Sequence, residues 1–281
     1  MDKNNFIPFH INANANDLAG NNDIGRYVFL PGSDGRAKEI AQHFNNVTVK
    51  SHPRGHHLYL GTLSGDNHTI DVAAVSSGMG CPSMEIILHE LYHLGAKRFL
   101  RVGTAGSLQP GIVGIGSIVN AIASVRDERT TSDYVPLEIP AISSFEFTAA
   151  MMHSAKKLGL LDKIHSGTVH CKSSFYAREF GAGPSRNTNI TYLELLSRYG
   201  VLASEMETAA LFIQSQYYNH QLKQKGQGPA YRVIAGALLG ILATPPDDMA
   251  SEKVTNEITK NMVDLAIETM KTLAAMESTK V

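Results

Sequence analysis

Short apolar runs alternate with stretches of helical periodicity along this 281-residue chain. The short runs are rich in β-branched residues and are bounded by turn-forming residues, which is typical of buried strands. The longer stretches repeat apolar residues every three or four positions, as helices packed on one face do. The alternation predicts an α/β fold in which helices cover a largely buried sheet.

The pattern gives specific bounds for most elements. The predicted strands are Tyr27–Leu30, His57–Leu63, Thr69–Val75, Phe99–Val102, Ser117–Ala123, Ser166–Lys172, Val201–Ala203 and Val233–Leu239. The predicted helices are Arg36–Phe44, Pro82–Leu94, Phe145–Leu158, Tyr192–Tyr199, Glu207–His220 and Lys253–Met276. The tetrad Ser64-Gly65-Asp66-Asn67 is typical of a turn joining the second and third strands.

Three glycine-containing turns are predicted at the ends of apolar strands. They read P-G-S-D-G-R at 31–36, S-S-G-M-G at 76–80 and G-T-A-G at 103–106. Ligands of open α/β sheets bind outside the carboxyl ends of the strands. Arg101 stands near the end of one such strand, and its guanidinium group matches phosphate or carboxylate in a bidentate way. This pattern favours an anion site, with a salt-bridged core arginine as the alternative. The turns match neither dinucleotide nor P-loop spacing.

Composition narrows the class of protein. Hydrophobic residues make up 43% of the chain and charged residues 18%, which allows a large core and subunit contacts. No linker or repeat divides residues 1–281, so we expect one domain. The net charge of −1 without a basic run argues against nucleic-acid binding. Met1–His10 lacks signal-peptide character and the longest apolar run, Val233–Ala243, is too short for a membrane span, so we expect a cytoplasmic protein.

The segment His89–His93 fits H-E-x-x-H, the zinc-peptidase helix signature. A catalytic zinc also needs a third protein ligand. The predicted helix ends at Gly95, and Phe99 occupies the position of the last histidine in the extended motif. The apolar stripe of this helix favours ordinary packing, and we expect no metal site.

The segment 205–210 reads E-M-E-T-A-A and places two carboxylates at a predicted helix start. Helix capping is one interpretation, since negative charge is favourable there. A carboxylate at a strand-to-helix turn also accepts hydrogen bonds from the vicinal hydroxyls of a sugar. Together with the glycine turns, the segment predicts an anion site beside a diol site.

Five motifs occur in an order that resembles the nucleoside phosphorylase-I family, and its uridine-cleaving members most. They are H-x5-N-D-L at 10–18, the turn at 31–36, S-H-P-R at 51–54, R-V-G-T-A-G at 101–106 and E-M-E at 205–207. The resemblance covers most of the chain. It implies a single-domain mixed sheet flanked by helices.

The resemblance also implies the reaction and the residues that carry it. The implied reaction is phosphorolysis of a pyrimidine nucleoside in salvage: uridine and phosphate give uracil and ribose 1-phosphate. Inorganic phosphate is then a co-substrate, no cofactor is needed, and sites are shared in a homo-oligomer that is at least a dimer. The implied residues are Gly32, Arg36, Arg54, Arg101 and Thr104 for phosphate, His10, Met206 and Glu207 for ribose, Phe175 for the base, and Arg101 and Glu207 for catalysis. His10 and Arg54 are implied to reach the site from the neighbouring subunit.

The chain departs from the family pattern where the base is recognised. Glu179 and Gly181 stand where the uridine-cleaving members carry glutamine and arginine. Residues 240–244 match neither the Asn-Arg pair of those members nor the Ser-Asp pair of purine enzymes, and Gly55 replaces an acidic residue that some members use for a cation. Two alternatives therefore stay open: a purine or methylthioadenosine-type phosphorylase or nucleosidase, and a weakly active or inactive homologue that only binds ligand.

Overall fold

The computed structural model describes residues 6–65, 69–244 and 248–278, and its centre is a mixed sheet with helices on both faces. The strands are β1 (Tyr27–Pro31), β2 (Asn45–Lys50), β3 (Leu58–Ser64), β4 (Thr69–Ala74), β5 (Arg98–Ser107), β6 (Ile118–Asp127), β7 (Ala141–Ile142), β8 (Ile164–Lys172), β9 (Ala203–Glu205), β10 (Ile234–Thr244) and β11 (Asp248–Met249). The helices are α1 (Ala15–Leu18), α2 (Asp34–Ala41), α3 (Cys81–His93), α4 (Phe145–Lys157), α5 (Phe175–Phe180), α6 (Arg186–Arg198), α7 (Thr208–Gln224) and α8 (Glu252–Ser278). This architecture confirms the predicted α/β fold.

The strand order produces a closed ring with an open extension. Over the described ranges the order is β11-β10-β6-β8-β9-β5-β1-β4-β3-β2, and β10 pairs with β5 as well. Strands β5, β10, β6, β8 and β9 therefore close on themselves, while β1, β4, β3 and β2 extend from β5.

Strand β5 is the junction between the ring and the extension, and one of its edges is interrupted. On that edge, β1 pairs with β5 only as far as Val102, and β9 pairs with it only from Gly106 onward. The other edge is occupied by β10 through most of this length. Residues 103–105, which we call the β5 gap, thus have no neighbouring strand on one edge in the described chain. Such a divergence of strands is where α/β proteins place ligand sites.

Both faces of the central strands β1, β5 and β10 are largely buried, which explains why these strands read as continuous apolar runs. On β1, Val28 and Leu30 belong to the core that includes the apolar sides of α3 and α7. Tyr27 and Phe29 belong to the opposite core, which includes residues of α2, α4 and α8. Among the described residues, no helix has the length and apolar character needed to cross a membrane.

A buried ion pair fastens the C-terminal helix to the start of the central strands. The guanidinium group of Arg98 lies 2.6 Å from Glu277 Oε1, and the hydroxyl of Tyr27 donates to Glu277 Oε2 at 2.5 Å. Arg98 is only 2% exposed. Helix α8 is thereby tied to the first residues of both β1 and β5.

The predicted turn at 103–106 is wrong, because β5 continues without a break from Arg98 to Ser107. The glycine at 103 has a different cause. A Cβ there would lie 2.9 Å from Arg101 Nη2, so glycine lets the guanidinium group of Arg101 lie over its own strand.

Other boundaries differ more modestly. The helix predicted to reach Phe44 ends at Ala41, because the exposed edge strand Asn45–Lys50 follows it. The strand predicted at Val201–Ala203 is Ala203–Glu205, and the short helix Phe175–Phe180 was not predicted. Part of the predicted turn at 64–67 lies outside the described residues.

The close packing of β10 against α4 gives a test of the core. Gly236→Ala is expected to lower the free energy of unfolding by about 1–3 kcal/mol through overpacking, because the added Cβ would lie 2.6 Å from the Cβ of Phe147. Denaturant unfolding measures the change. Gly111→Ala is the control, since no heavy atom would lie within 4 Å of its Cβ. Equal stability of the two variants would contradict this packing.

Candidate functional site

A buried arginine held by two carboxylates forms the centre of the candidate site. Arg101 is 4% exposed, and its Nε lies 3.2 Å from Glu205 Oε2 while its Nη2 bonds Glu207 Oε2. Its Nη1 donates to the hydroxyl of Ser77 at 3.4 Å. The two carboxylates hold the pKa of Arg101 above its ordinary value although burial acts in the opposite direction.

Glu205 and Glu207 have different hydrogen-bond partners, a difference that the capping and diol interpretations of the sequence did not predict. Glu205 caps helix α7: it accepts the N–H groups of Glu207 and Thr208, each at 2.9 Å, and the Thr208 hydroxyl at 2.6 Å. Burial opposes ionisation of Glu205, but Arg101 and these hydrogen bonds outweigh it and lower the carboxyl pKa.

The side chain of Glu207 makes no capping hydrogen bond to the helix that it precedes. Its Oε1 accepts the N–H of Gly80 at 2.6 Å, and its Oε2 pairs with Arg101. Burial and the neighbouring Glu205 raise the pKa of Glu207 despite Arg101. A carboxylate that is free of capping, and whose ionisation is opposed, is chemically suited to bind a ligand hydroxyl.

A second arginine approaches Arg101 without an acidic partner of its own among the described residues. Arg36 lies in the first turns of α2, and its Nη1 reaches the carbonyl of Val102 at 3.4 Å. Its Nε is buried and has no hydrogen-bond partner in the described chain. Burial and the positive charge of Arg101 lower the pKa of Arg36. Two adjacent guanidinium groups with an unused donor are chemically suited to bind an anion.

The loop between β4 and α3 connects these groups. Ser77 is fully buried and donates its backbone N–H to Pro31, at the end of β1, at 2.8 Å. The hydroxyl of Ser76 donates to the carbonyl of Gly32 at 3.2 Å. Gly80 contributes the N–H that Glu207 accepts. Three segments distant in sequence thus meet beside the β5 gap.

The structure brings most of the predicted phosphate and ribose residues into this region. Gly32 follows β1, Thr104 lies half-buried in the β5 gap, and Met206 lies between the two glutamates. Together with Arg36 and Arg101 they surround the interrupted edge of β5.

His10 and Arg54 lie elsewhere in the protomer. They line a cavity of about 570 Å³ together with His56 and Met79, of which Met79 is 85% exposed. Met79 directly precedes Gly80, so the cavity adjoins the loop that contacts Glu207. Arg101, Glu205 and Glu207 together are called the Arg101 group. Within the described chain, His10 and Arg54 form no hydrogen bond or ion pair with this group.

The H-E-x-x-H segment has a structural role. Glu90 accepts the backbone N–H groups of Phe9, His10 and Ile11 and lies 2.7 Å from His10 Nδ1. The two histidines of the motif belong to an aromatic cluster with Phe6, Tyr92 and Tyr218. Burial, together with the adjacent His89, lowers the pKa of His93 to about 4. No group of three or more potential metal ligands occurs among the described residues.

The predicted base-stacking residue begins α5 and is partly open to solvent. The Phe175 ring is 44% exposed, and Lys172 Nζ lies 5.7 Å from its centroid. Lys172 in turn pairs with Glu179 at 2.8 Å. The sequence did not indicate that Lys172 is buried, because a lysine at the end of an apolar strand is usually exposed.

Sequence reasoning also missed Ser77 and Gly80. The hydroxyl of Ser77 accepts a hydrogen bond from Arg101, and the backbone N–H of Gly80 donates one to Glu207. Their position in a glycine turn after β4 was the available signal.

Comparison with known proteins gives a consistent assignment. The family model described as the phosphorylase superfamily matches residues 26–273. A uridine phosphorylase of Treponema pallidum is 35% identical, over 91% of this chain and 92% of its own length. A uridine phosphorylase of Thermococcus kodakarensis is 33% identical, over 70% and 69% of the two chains. A DeoD-type purine nucleoside phosphorylase of Streptococcus pneumoniae is 32% identical, over 88% and 94%.

These matches confirm the resemblance that the motifs at 101–106 and 205–207 indicated. The matched range contains β1, the whole strand ring and the Arg101 group. The chain therefore belongs to the phosphorylase superfamily.

Proposed function

We propose that this protein catalyses phosphorolysis of a pyrimidine nucleoside, with uridine and inorganic phosphate as substrates and no further cofactor. The observation that carries the proposal is the pair of guanidinium groups, Arg36 and Arg101, beside the carboxylate of Glu207, with Arg36 Nε left without a partner in the described chain. The relatives named uridine phosphorylase support the pyrimidine substrate.

The charges suit the reaction. As the glycosidic bond breaks, positive charge develops on the ribose and negative charge on the base. Phosphate held by the two arginines lies close to the sugar, stabilises the cationic carbon and then bonds to it. Fixed charges act here without reorganisation, and holding both reactants together removes much of the entropic barrier.

Glu207 supplies the sugar contact in this proposal. Its carboxylate accepts a ribose hydroxyl while Arg101 and the N–H of Gly80 hold it in place. Phe175 stacks on the base, and Thr104, Gly32 and Met206 complete the surroundings of phosphate and ribose.

We further propose a cytoplasmic homo-oligomer in which His10 and Arg54 serve the site of a neighbouring subunit. Their separation from the Arg101 group within one protomer supports this arrangement, as does the exposure of Arg54 and Met79 on the cavity they share.

A phosphorolysis assay tests the reaction itself. Uridine, thymidine, inosine and adenosine are each incubated with and without phosphate, and free base is measured. Uridine cleavage only with phosphate is expected. Preferential cleavage of inosine would favour the purine activity named for the Streptococcus relative, and absence of all turnover would contradict phosphorolysis.

Removing the second arginine should weaken phosphate binding selectively. Arg36→Gln is expected to raise the KM for phosphate about 10- to 100-fold, because one charge-assisted hydrogen bond contributes about 1.5–3 kcal/mol. Initial rates at varied phosphate measure the change. Lys38→Gln, which removes an exposed positive charge from the same helix, is the control. An unchanged KM in Arg36→Gln would contradict the anion site.

Substitutions of the two glutamates are expected to affect stability and activity to different extents. Glu205→Gln is expected to lower the melting temperature more than Glu207→Gln does, because only Glu205 caps α7. Glu207→Gln is expected to lower kcat/KM for uridine by about 100-fold or more through loss of a charged sugar contact. Thermal unfolding and steady-state kinetics measure the two effects. Full activity of Glu207→Gln would contradict its role.

Shared sites predict complementation between inactive variants. Co-expression of Arg54→Gln with Glu207→Gln should restore activity in about a quarter of the sites, because a mixed dimer contains one site with both native residues. Each variant expressed alone is the control. Activity of the co-expressed protein no higher than that of the single variants would contradict a contribution of Arg54 across subunits.

A further inference from the structure

A further buried ion pair, in addition to those of Arg98 and Arg101, lies next to the candidate site. Lys172, at the end of β8, and Glu179, in α5, lie 2.8 Å apart and each side chain is 2% exposed. The hydroxyl of Ser204 joins them: it accepts from Lys172 at 2.8 Å and donates to Glu179 Oε2 at 2.9 Å. Ser204 directly precedes Glu205, so the pair adjoins the segment that contains Glu207.

One oxygen of this pair is left over. Glu179 Oε2 has two partners, but Glu179 Oε1 is buried and has none among the described residues. A buried carboxylate oxygen without a donor costs free energy, so native structures usually provide one. Glu179 Oε1 can accept a hydrogen bond from a ligand N–H or O–H.

Lys172 also retains a donor. Ser204 and Glu179 take two of the three N–H groups of its ammonium, which lies 5.7 Å from the centroid of the Phe175 ring. The Phe175 ring is 44% exposed. The ammonium of Lys172 therefore lies near a partly exposed aromatic ring, which is a surface on which a flat ligand can stack.

The nearby arginine, Arg178, already binds other residues of the protein. Arg178 binds Asp127 through Nε at 2.8 Å and through Nη2 at 3.0 Å, and its Nη1 donates to Asn189 at 2.7 Å. Its guanidinium group also lies 4.7 Å from the centroid of the Tyr192 ring. It therefore has no free edge with which to recognise a ligand in place of Lys172.

We propose that Lys172 and Glu179 recognise the nucleobase, which must carry a ring N–H beside a carbonyl group, as uracil does. This inference rests on the proposed phosphorolysis and names its base contacts. Glu179 Oε1 accepts the ring N–H, and the ammonium of Lys172 donates to the adjacent carbonyl oxygen. An acceptor nitrogen in place of the N–H, as in cytosine, would face the carboxylate and be repelled.

The pair also suits the electron flow of the reaction. The C1′–N bond breaks with its electron pair going to the base, while a phosphate oxygen forms the new bond to C1′. In uracil the pair is delocalised onto the carbonyl oxygens, where the fixed charge of Lys172 stabilises it. Glu179 keeps that buried ammonium paired before substrate arrives.

Substrate analogues test the proposal on the unaltered protein. We expect kcat/KM for 3-methyluridine to be at least about 100-fold below that for 5-methyluridine, because only the first lacks the N–H. The two isomers carry the same added methyl group, so they are matched in size. The KM for phosphate is measured as a control. Cleavage of both isomers at similar rates would overturn the role of Glu179 while leaving phosphorolysis intact.

Two variants of Glu179 give a second readout. Glu179→Leu is expected to lower the ratio of 5-methyluridine to 3-methyluridine cleavage at least about 10-fold, because the ring N–H loses its acceptor, whereas Glu179→Gln, whose amide oxygen still accepts, is expected to keep that ratio. A merely structural role would change both rates together and leave the ratio unchanged. Glu194→Gln, on the exposed face of α6, is the matched control.

Calorimetric titration separates this inference from the reaction on which it rests. Uracil is expected to bind the protein at least about 10-fold more tightly than 3-methyluracil, with or without turnover. Equal affinity overturns base recognition by the pair. Absence of nucleoside cleavage together with selective uracil binding would contradict phosphorolysis and still support the pair.

Discussion

The site depends on one buried positive charge. Arg101 lies in β5, the junction between the strand ring and its extension, and without its carboxylate partners it could not remain ionised there at tolerable cost. Glu205 fixes the start of α7 and Glu207 reaches the loop before α3, so the same guanidinium group sets the position of both helices. Gly103 makes room for it.

The charged residues of the site differ in how completely their hydrogen bonds are made within the protein. Both carboxylate oxygens of Glu205 accept hydrogen bonds from the protein. In contrast, Arg36 Nε and Glu179 Oε1 have no partner among the described residues, and the pKa of Glu207 is raised. These three groups belong to separate segments of the chain.

Much of this was predictable from the sequence, because apolar periodicity and glycine spacing report burial and turns directly. The element order and Arg101 came from such local patterns. The sequence did not separate Glu205 from Glu207, since two carboxylates at one helix start look alike until their partners in distant loops are known. The pairing of Lys172 with Glu179 depended on the unpredicted helix α5, and the extent of β5 depended on β10, more than a hundred residues away. The roles of these residues toward ligands stay predictions.

The bond between Glu277 and Arg98 bears on how the molecule folds. These residues are 179 positions apart, and β5 must also wait for β10 to complete its second edge. Because contacts so distant in sequence close late, the strand that carries Arg101 is expected to gain its final neighbours only in the last steps of folding. The buried charge at this junction has a further consequence: Arg101 cannot be buried without the cost of an unpaired charge until Glu205 and Glu207 are in place beside it.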